Sequence, residues 1–202
     1  MVEYYLAPSS PWTYMGHSRF EDILSATRVN VRLFPVDLGG KVFPATGGLP
    51  VGQRSVQRQA YRLVELKRFS DHLKIPLNLN PKFFPVSADP AAKLIIAVQE
   101  KEGPSAAMTL TGIILEAVWA GDANIADPEV LNASLLRANL SHEYLALSSA
   151  SWVKDLYEQN TIRAIEQGVF GSPSYVWNKE IFWGQDRLDF LKMRLTQEAG
   201  LN

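Results

Sequence analysis

The spacing of apolar positions along the chain changes twice, and the changes divide it into three stretches. Residues 2–7 are a short aromatic and aliphatic run that stops at Pro8-Ser9-Ser10-Pro11, the pattern of a strand entering a turn. From Pro11 the apolar positions take helical spacing, with Trp12, Met15, Phe20, Ile23 and Leu24 forming one stripe. Pro11 suits the first helical position, because its φ is fixed and it has no N–H to leave unpaired; Ser10 then falls at the N-cap. Residues 29–36 alternate, Val29, Val31 and Leu33 against Asn30 and Arg32, and predict a second strand. Strand, helix and strand of this size predict a βαβ unit.

A glycine-rich stretch, residues 37–54, predicts a long loop, a length often tied to function. Helical patterning then dominates to Gly168, predicting helices over 56–73, 89–102, 105–120, 128–138 and 151–167. In the second of these, Asp89 is the expected cap and Pro90 lies in the first turn. Beyond Gly168 the short runs 174–177 and 180–183, split by Asn178-Lys179, predict a β-hairpin. Residues 186–198, with Leu188, Leu191 and Leu195 on one face, predict a closing helix. The two outer parts are too small to bury separate cores. The expected class is therefore α/β: a thioredoxin-like domain (βαβ plus ββα) from residues 1–50 and 150–202, interrupted by a large all-helical insertion, 51–149.

Composition narrows the chemistry. The 202 residues carry a formal charge of −1, without the basic excess of a nucleic-acid binder, and include no cysteine. Disulfides, thiolate metal sites and a cysteine nucleophile are thereby excluded. His17, His72 and His142 lack metal-ligand spacing and read as structural or surface residues, so no metal is expected. The first residues lack a basic segment followed by an apolar one, and the apolar stretch 110–119 is too short to span a bilayer. The expected location is cytoplasmic, with no membrane or nucleic-acid partner.

Three junctions carry candidate chemistry. At Ser10-Pro11-Trp12-Thr13, free N–H groups and the helix dipole favour an anion or thiolate. Ser10 and Thr13 occupy the spacing where redox relatives of this fold carry a cysteine pair. A serine cannot exchange disulfides, but its hydroxyl donates to a borrowed thiolate; by spacing alone, Ser10 also reads as a plain helix cap. Trp12 reads as core or pocket wall. At Gly171-Ser172-Pro173, a proline entering a strand is a candidate cis peptide whose preceding residue pairs with a peptide-like ligand as one strand rung. At Trp183-Gly184-Gln185-Asp186-Arg187, Asp186 is a helix cap or the partner of a ligand ammonium, with Gln185 facing a carboxylate. Arg187 is available for an internal ion pair.

Ser-Pro-Trp-Thr-Tyr, Gly-Val-Phe-Gly-Ser-Pro-Ser and Phe-Trp-Gly-Gln-Asp-Arg-Leu, in this order along essentially the whole chain, resemble the 2-hydroxychromene-2-carboxylate isomerase family, relatives of kappa-class glutathione transferases. The resemblance implies a glutathione-using cis–trans isomerase of aromatic carboxylates, usually a homodimer. It leaves open a kappa-like transferase or a non-catalytic glutathione or peptide binder. By position it implies that Ser10 faces the glutathione sulfur as the catalytic residue, and that Ser172 and Pro173 clamp the cysteinyl part. Gln185 and Asp186 would hold the γ-glutamyl end, supported by Trp183 and Arg187. The segment with Trp12, Gly48, Arg54 and Arg58 would contact the second substrate. The chain departs from the family at Gly48, near which an asparagine is usual, at Arg58 for a lysine, and at Ser172, where valine is frequent.

Overall fold

The computed structural model describes residues 1–198, so the end of the expected 150–202 segment lies outside the described residues. Strand β1 (Val2–Leu6) leads into helix α1 (Pro11–Thr27) and strand β2 (Val31–Pro35). After the helical section come β3 (Ser174–Trp177) and β4 (Glu180–Trp183). Their order in the sheet is β2-β1-β3-β4, with β2 parallel to β1, β3 antiparallel to β1, and β4 antiparallel to β3. Asn178 and Lys179 both have positive φ (49° and 70°), so the hairpin turns where the sequence places it.

The expected loop 37–54 is instead a string of short helical turns: Leu38–Val42, α2 (Phe43–Thr46) and Val51–Gln53. Asp37 begins it by accepting the Gly40 N–H at 2.7 Å, and Gly47, at φ 79°, ends α2. Then follow α3 (Val56–Leu73), α4 (Asp89–Glu102), α5 (Pro104–Trp119), α6 (Pro128–Arg137), α7 (Glu143–Leu147) and α8 (Ser151–Glu166). Two details differ from the sequence reading. The short α7 has too few turns to show a stripe. Ala88, not Asp89, caps α4, because the Asp89 carboxylate accepts the Tyr157 hydroxyl at 3.0 Å instead. A single-turn segment, Gln185–Arg187, precedes the last helix, α9 (Leu188–Glu198).

Alternation along β1 and β2 splits the interior between the sheet faces. Val2, Tyr4, Leu6 and Leu33 join α1, α9 and the insert helices α4–α6 in one continuous apolar cluster. Tyr5 and Phe34 face the other way, onto Ala164 of α8 and Val169. The insert therefore shares its core with the sheet, and its position relative to the site is set by close packing.

His17 ties these layers together. It is buried in α1, with Nε2 3.0 Å from the Met108 carbonyl on α5 and Nδ1 3.2 Å from the Tyr4 hydroxyl on β1. A carbonyl only accepts, so Nε2 carries the proton and Tyr4 donates to Nδ1. Gly112 makes room for the ring, which a Cβ there would meet at 3.2 Å. Burial pulls the imidazole pKa down to about 4, against a partial opposing effect of the Met108 carbonyl. The unfolded chain binds this proton near pH 6.5 while the native state does not, so falling pH disfavours folding between about 6.5 and 4. The loss attributable to His17 amounts to roughly 3 kcal/mol at the lower limit. Urea denaturation of wild type and His17→Gln at pH 7 and pH 4.5 is expected to show the wild type losing its advantage; a constant difference between the two would refute the assignment.

Candidate active site

Ser10 has extended φ/ψ and caps α1, its Oγ accepting the Thr13 N–H at 3.2 Å. The same hydroxyl donates to the Ser172 carbonyl at 3.2 Å. Thr13 Oγ1 lies 2.8 Å from Ser172 Oγ, which accepts the Ala7 N–H at 2.8 Å. The Ser172–Pro173 peptide is cis. Residues about 160 positions apart thus form one buried hydroxyl cluster where β1 ends, α1 begins and β3 is about to start. The Trp12 N–H has no acceptor among the described residues, so a free donor and the positive end of a 17-residue helix lie beside Ser10.

The second and third junctions are joined through the backbone, since Gly184 N–H donates to the Pro173 carbonyl at 2.8 Å. Gly184 has φ 92°, a torsion that favours glycine, and lies against the Asp186 carboxylate, which a Cβ would push aside. Asp186 is exposed and pairs with Arg187, the internal ion pair the sequence allowed. Gln185 turns inward: it is 1% exposed, and its Oε1 accepts from Arg19 Nη1 at 2.9 Å, leaving Nε2 buried without a partner. Gly16 permits this approach, as a Cβ there would meet Gln185 Cβ at 3.0 Å. Trp183 is half exposed and packs on Phe170, ring centroids 4.8 Å apart, over Gly171. Trp183 and Arg187 also border an open groove of about 610 Å³ between β4 and α9, which does not include Ser10 or Ser172.

The candidates for the second substrate lie apart from this cluster. Trp12 is half buried, its ring edge-on to Phe69 of α3 at 5.9 Å, which makes it a wall between α1 and α3. Gly48 packs under the Phe43 ring, and a Cβ would fall 2.3 Å from it, so an asparagine cannot be accommodated at that position without displacing Phe43. Arg54 is half buried, with Nε donating to the Leu49 carbonyl at 2.9 Å; Arg58 is exposed. No hydrogen bond or ring contact joins Gly48, Arg54 or Arg58 to Ser10 among the described residues.

Two side chains that the structure sets apart escaped the sequence reading. Arg19 is one, because nothing local shows that it holds Gln185. Arg62 is the other: it continues the four-residue spacing of Arg54 and Arg58, on the stripe with Leu66 and Phe69, and it is buried. A charged residue on an apolar stripe was the signal available.

Ser172 carries a structural load that an aliphatic side chain cannot. Ser172→Val leaves the buried Ala7 N–H unpaired and strips Thr13 of its partner, at an expected cost of about 1–3 kcal/mol. Chemical denaturation of the variant checks this, and a loss under about 0.5 kcal/mol would refute it.

The chain is similar to known proteins over almost its whole length. A curated 2-hydroxychromene-2-carboxylate isomerase of Pseudomonas sp. (strain C18) is 28% identical over 95% of this chain and 88% of its own length. One from Pseudomonas putida is 26% identical over 95% and 92%. Among solved structures, a selenomethionine 2-hydroxychromene-2-carboxylate isomerase superposes with a TM-score of 0.78 at 23% identity, covering 100% of this chain and 98% of that one. A cytosolic disulfide reductase, DsbM, from Pseudomonas aeruginosa does so with 0.67 at 18%, covering 97% and 98%. The model of the DsbA-like thioredoxin domain matches residues 1–196. With that match running over nearly its whole length, the chain belongs to the DsbA-like thioredoxin domain family.

Proposed function

We propose that the chain is a glutathione-dependent cis–trans isomerase acting on an aromatic 2-oxo or chromene carboxylic acid. Three curated relatives of that name, each aligned over at least 95% of this chain, support the reaction class. The observation that carries the reading is Ser10, a buried hydroxyl at the start of α1 that reaches the Ser172 carbonyl, in a chain without cysteine.

The residues fit a γ-glutamyl tripeptide. The exposed Asp186 carboxylate, which pairs with Arg187 at the surface, suits its ammonium, while Gln185, drawn inward onto Arg19, holds the turn that presents it. The backbone at Ser172, just before β3, suits the cysteinyl part as one strand rung, with Trp183 as an apolar wall. When bound, glutathione supplies a thiolate that adds reversibly to the conjugated double bond, frees it to rotate, and departs on elimination unchanged.

Ser10 holds that thiolate. Its proton, now on the Ser172 carbonyl, turns to a sulfur by rotation about one bond, while the Oγ lone pair keeps the Thr13 N–H. A free thiol has a pKa of ~8.5 and is only ~3% ionised at pH 7. One charge-assisted hydrogen bond of roughly 2 kcal/mol lowers that by ~1.5 units and raises the thiolate fraction roughly 15-fold. Lower intrinsic nucleophilicity offsets part of the gain. Positioning the acid against the sulfur contributes more, since aligned reactants reach effective molarities of ~10⁵ M and above.

Calorimetry with reduced glutathione on wild type and Ser10→Ala, alongside turnover of 2-hydroxychromene-2-carboxylate, tests the proposal. Expected are binding by both proteins, a roughly tenfold or larger fall in turnover for Ser10→Ala, and a stability loss of about 1 kcal/mol for the missing cap. Absence of glutathione binding by the wild type sinks the reading. Stoichiometric consumption of glutathione makes the enzyme a transferase instead. A stability loss with unchanged turnover makes Ser10 a cap only.

A further inference from the structure

Arg62 is a charged side chain that the fold buries without giving it a counter-ion. It is 8% exposed, and its Nη2 is sealed from solvent with no hydrogen-bond partner. Its guanidinium lies over two aromatic rings, 5.2 Å from the centroid of Phe84 and 5.8 Å from that of Trp119. Those contacts hold the plane in place but satisfy none of its N–H groups. Arg62 forms no ion pair with any described residue, Glu65 on the same helix included.

The surroundings add positive charge rather than cancel it. Burial and then the charge of Arg54 pull the Arg62 pKa down to about 10. Arg54 is likewise lowered by burial, and then by Arg58. Three arginines at four-residue spacing thus converge at the start of α3, with the innermost one unpaired. An unpaired buried charge is among the costlier features a fold can keep, and an apolar side chain would fill the place better. A planar anion reaching the guanidinium fork would remove that cost.

The position relates this cluster to the site. Phe69, seven residues and about 10 Å further along α3, meets the Trp12 ring, two residues from Ser10. The α5 end that carries Trp119 returns toward the same region, where the Trp119 carbonyl accepts the Asn78 N–H at 2.6 Å, close to the Pro76 carbonyl bonded by Tyr14 of α1. Trp12 meets Phe69 and Phe84 meets Trp119, so aromatic pairs lie at both the hydroxyl end and the arginine end. We infer that Arg62, with Arg54 beside it, is the anchor for the carboxylate of a flat aromatic acid, and so determines which acids the enzyme accepts. The substrate class rests on the proposed function; the anion site rests on Arg62 itself.

The test is calorimetry of trans-cinnamate and its neutral amide, cinnamamide, on the full-length wild type, Arg62→Met and Arg62→Lys, with reduced glutathione titrated separately. Cinnamate is expected to bind the wild type and to weaken about tenfold or more in Arg62→Met, with a smaller loss in Arg62→Lys, which keeps the charge but not the fork. Cinnamamide is expected to bind weakly and equally to all three. Without ligand, Arg62→Met is expected to melt at or above the wild-type temperature, and the stabilisation by cinnamate is expected to vanish in it. Cinnamate failing to bind the wild type, binding Arg62→Met within twofold, or binding no better than its amide overturns the inference. If Arg62→Met does not fold, unchanged cinnamate affinity in Arg62→Lys overturns it. Glutathione binding with Arg62-independent cinnamate leaves the proposed function standing and this inference fallen; Arg62-dependent cinnamate without glutathione binding does the reverse.

Discussion

The hydroxyl cluster of Ser10, Thr13 and Ser172 holds the first turn of α1 against the turn that precedes β3, across a sequence separation of up to 162 positions. Its two serine hydroxyls each do two things at once. Ser10 Oγ caps a helix and reaches the Ser172 carbonyl; Ser172 Oγ takes the Ala7 N–H just beyond β1 and meets Thr13. Because these groups are buried, each depends on the others for its partners, and none can be replaced by a hydrocarbon of similar shape without orphaning a neighbour. From Pro173 the constraint passes through the Gly184 N–H to the turn that presents Asp186. The site is therefore placed by hydrogen bonds at its centre and by glycine at its edges, where Gly16 and Gly184 allow approaches that a Cβ would block.

This dependence explains what the sequence made legible. Features decided within a few residues were readable: the Ser10 cap with Pro11 behind it, the Asn178-Lys179 hairpin, and the long stripes of α3 and α9. The motif order gave the fold, because a βαβ opening and a ββα close have few ways to share one sheet. Features decided by distant partners were not readable. Asp89 looks like a cap until Tyr157 claims its carboxylate, and Gln185 looks like an open binding residue until Arg19 and Gly16 draw it inward. The stretch 37–54 looks like a loop because its turns are too short for any period to show.

Gly48 gives the same lesson for the site. By resemblance alone its lack of a side chain is a missing catalytic contact. In the structure the Phe43 ring occupies the space a side chain would need. The two meet only across the end of α2, so nothing local in the sequence shows it.

The shared core adds a constraint on how such a protein diverges. Val2, Tyr4 and Leu33 of the sheet pack in the same cluster as Leu94, Ile114 and Leu135 of the insert, so the helices cannot shift as a body without disturbing the sheet. Change of specificity is then easiest through side chains at the margins of that core, on α3 and on the segment around Phe84, whose contacts with the sheet are few. Arg62 sits on that margin: its stem and rings extend the apolar layer while its charge remains unpaired. A fold that had only packing to satisfy would place methionine or leucine there, as it does with Leu66 one turn on. Retaining a guanidinium at a position where packing alone favours an aliphatic residue is what ties that position to an anion rather than to stability.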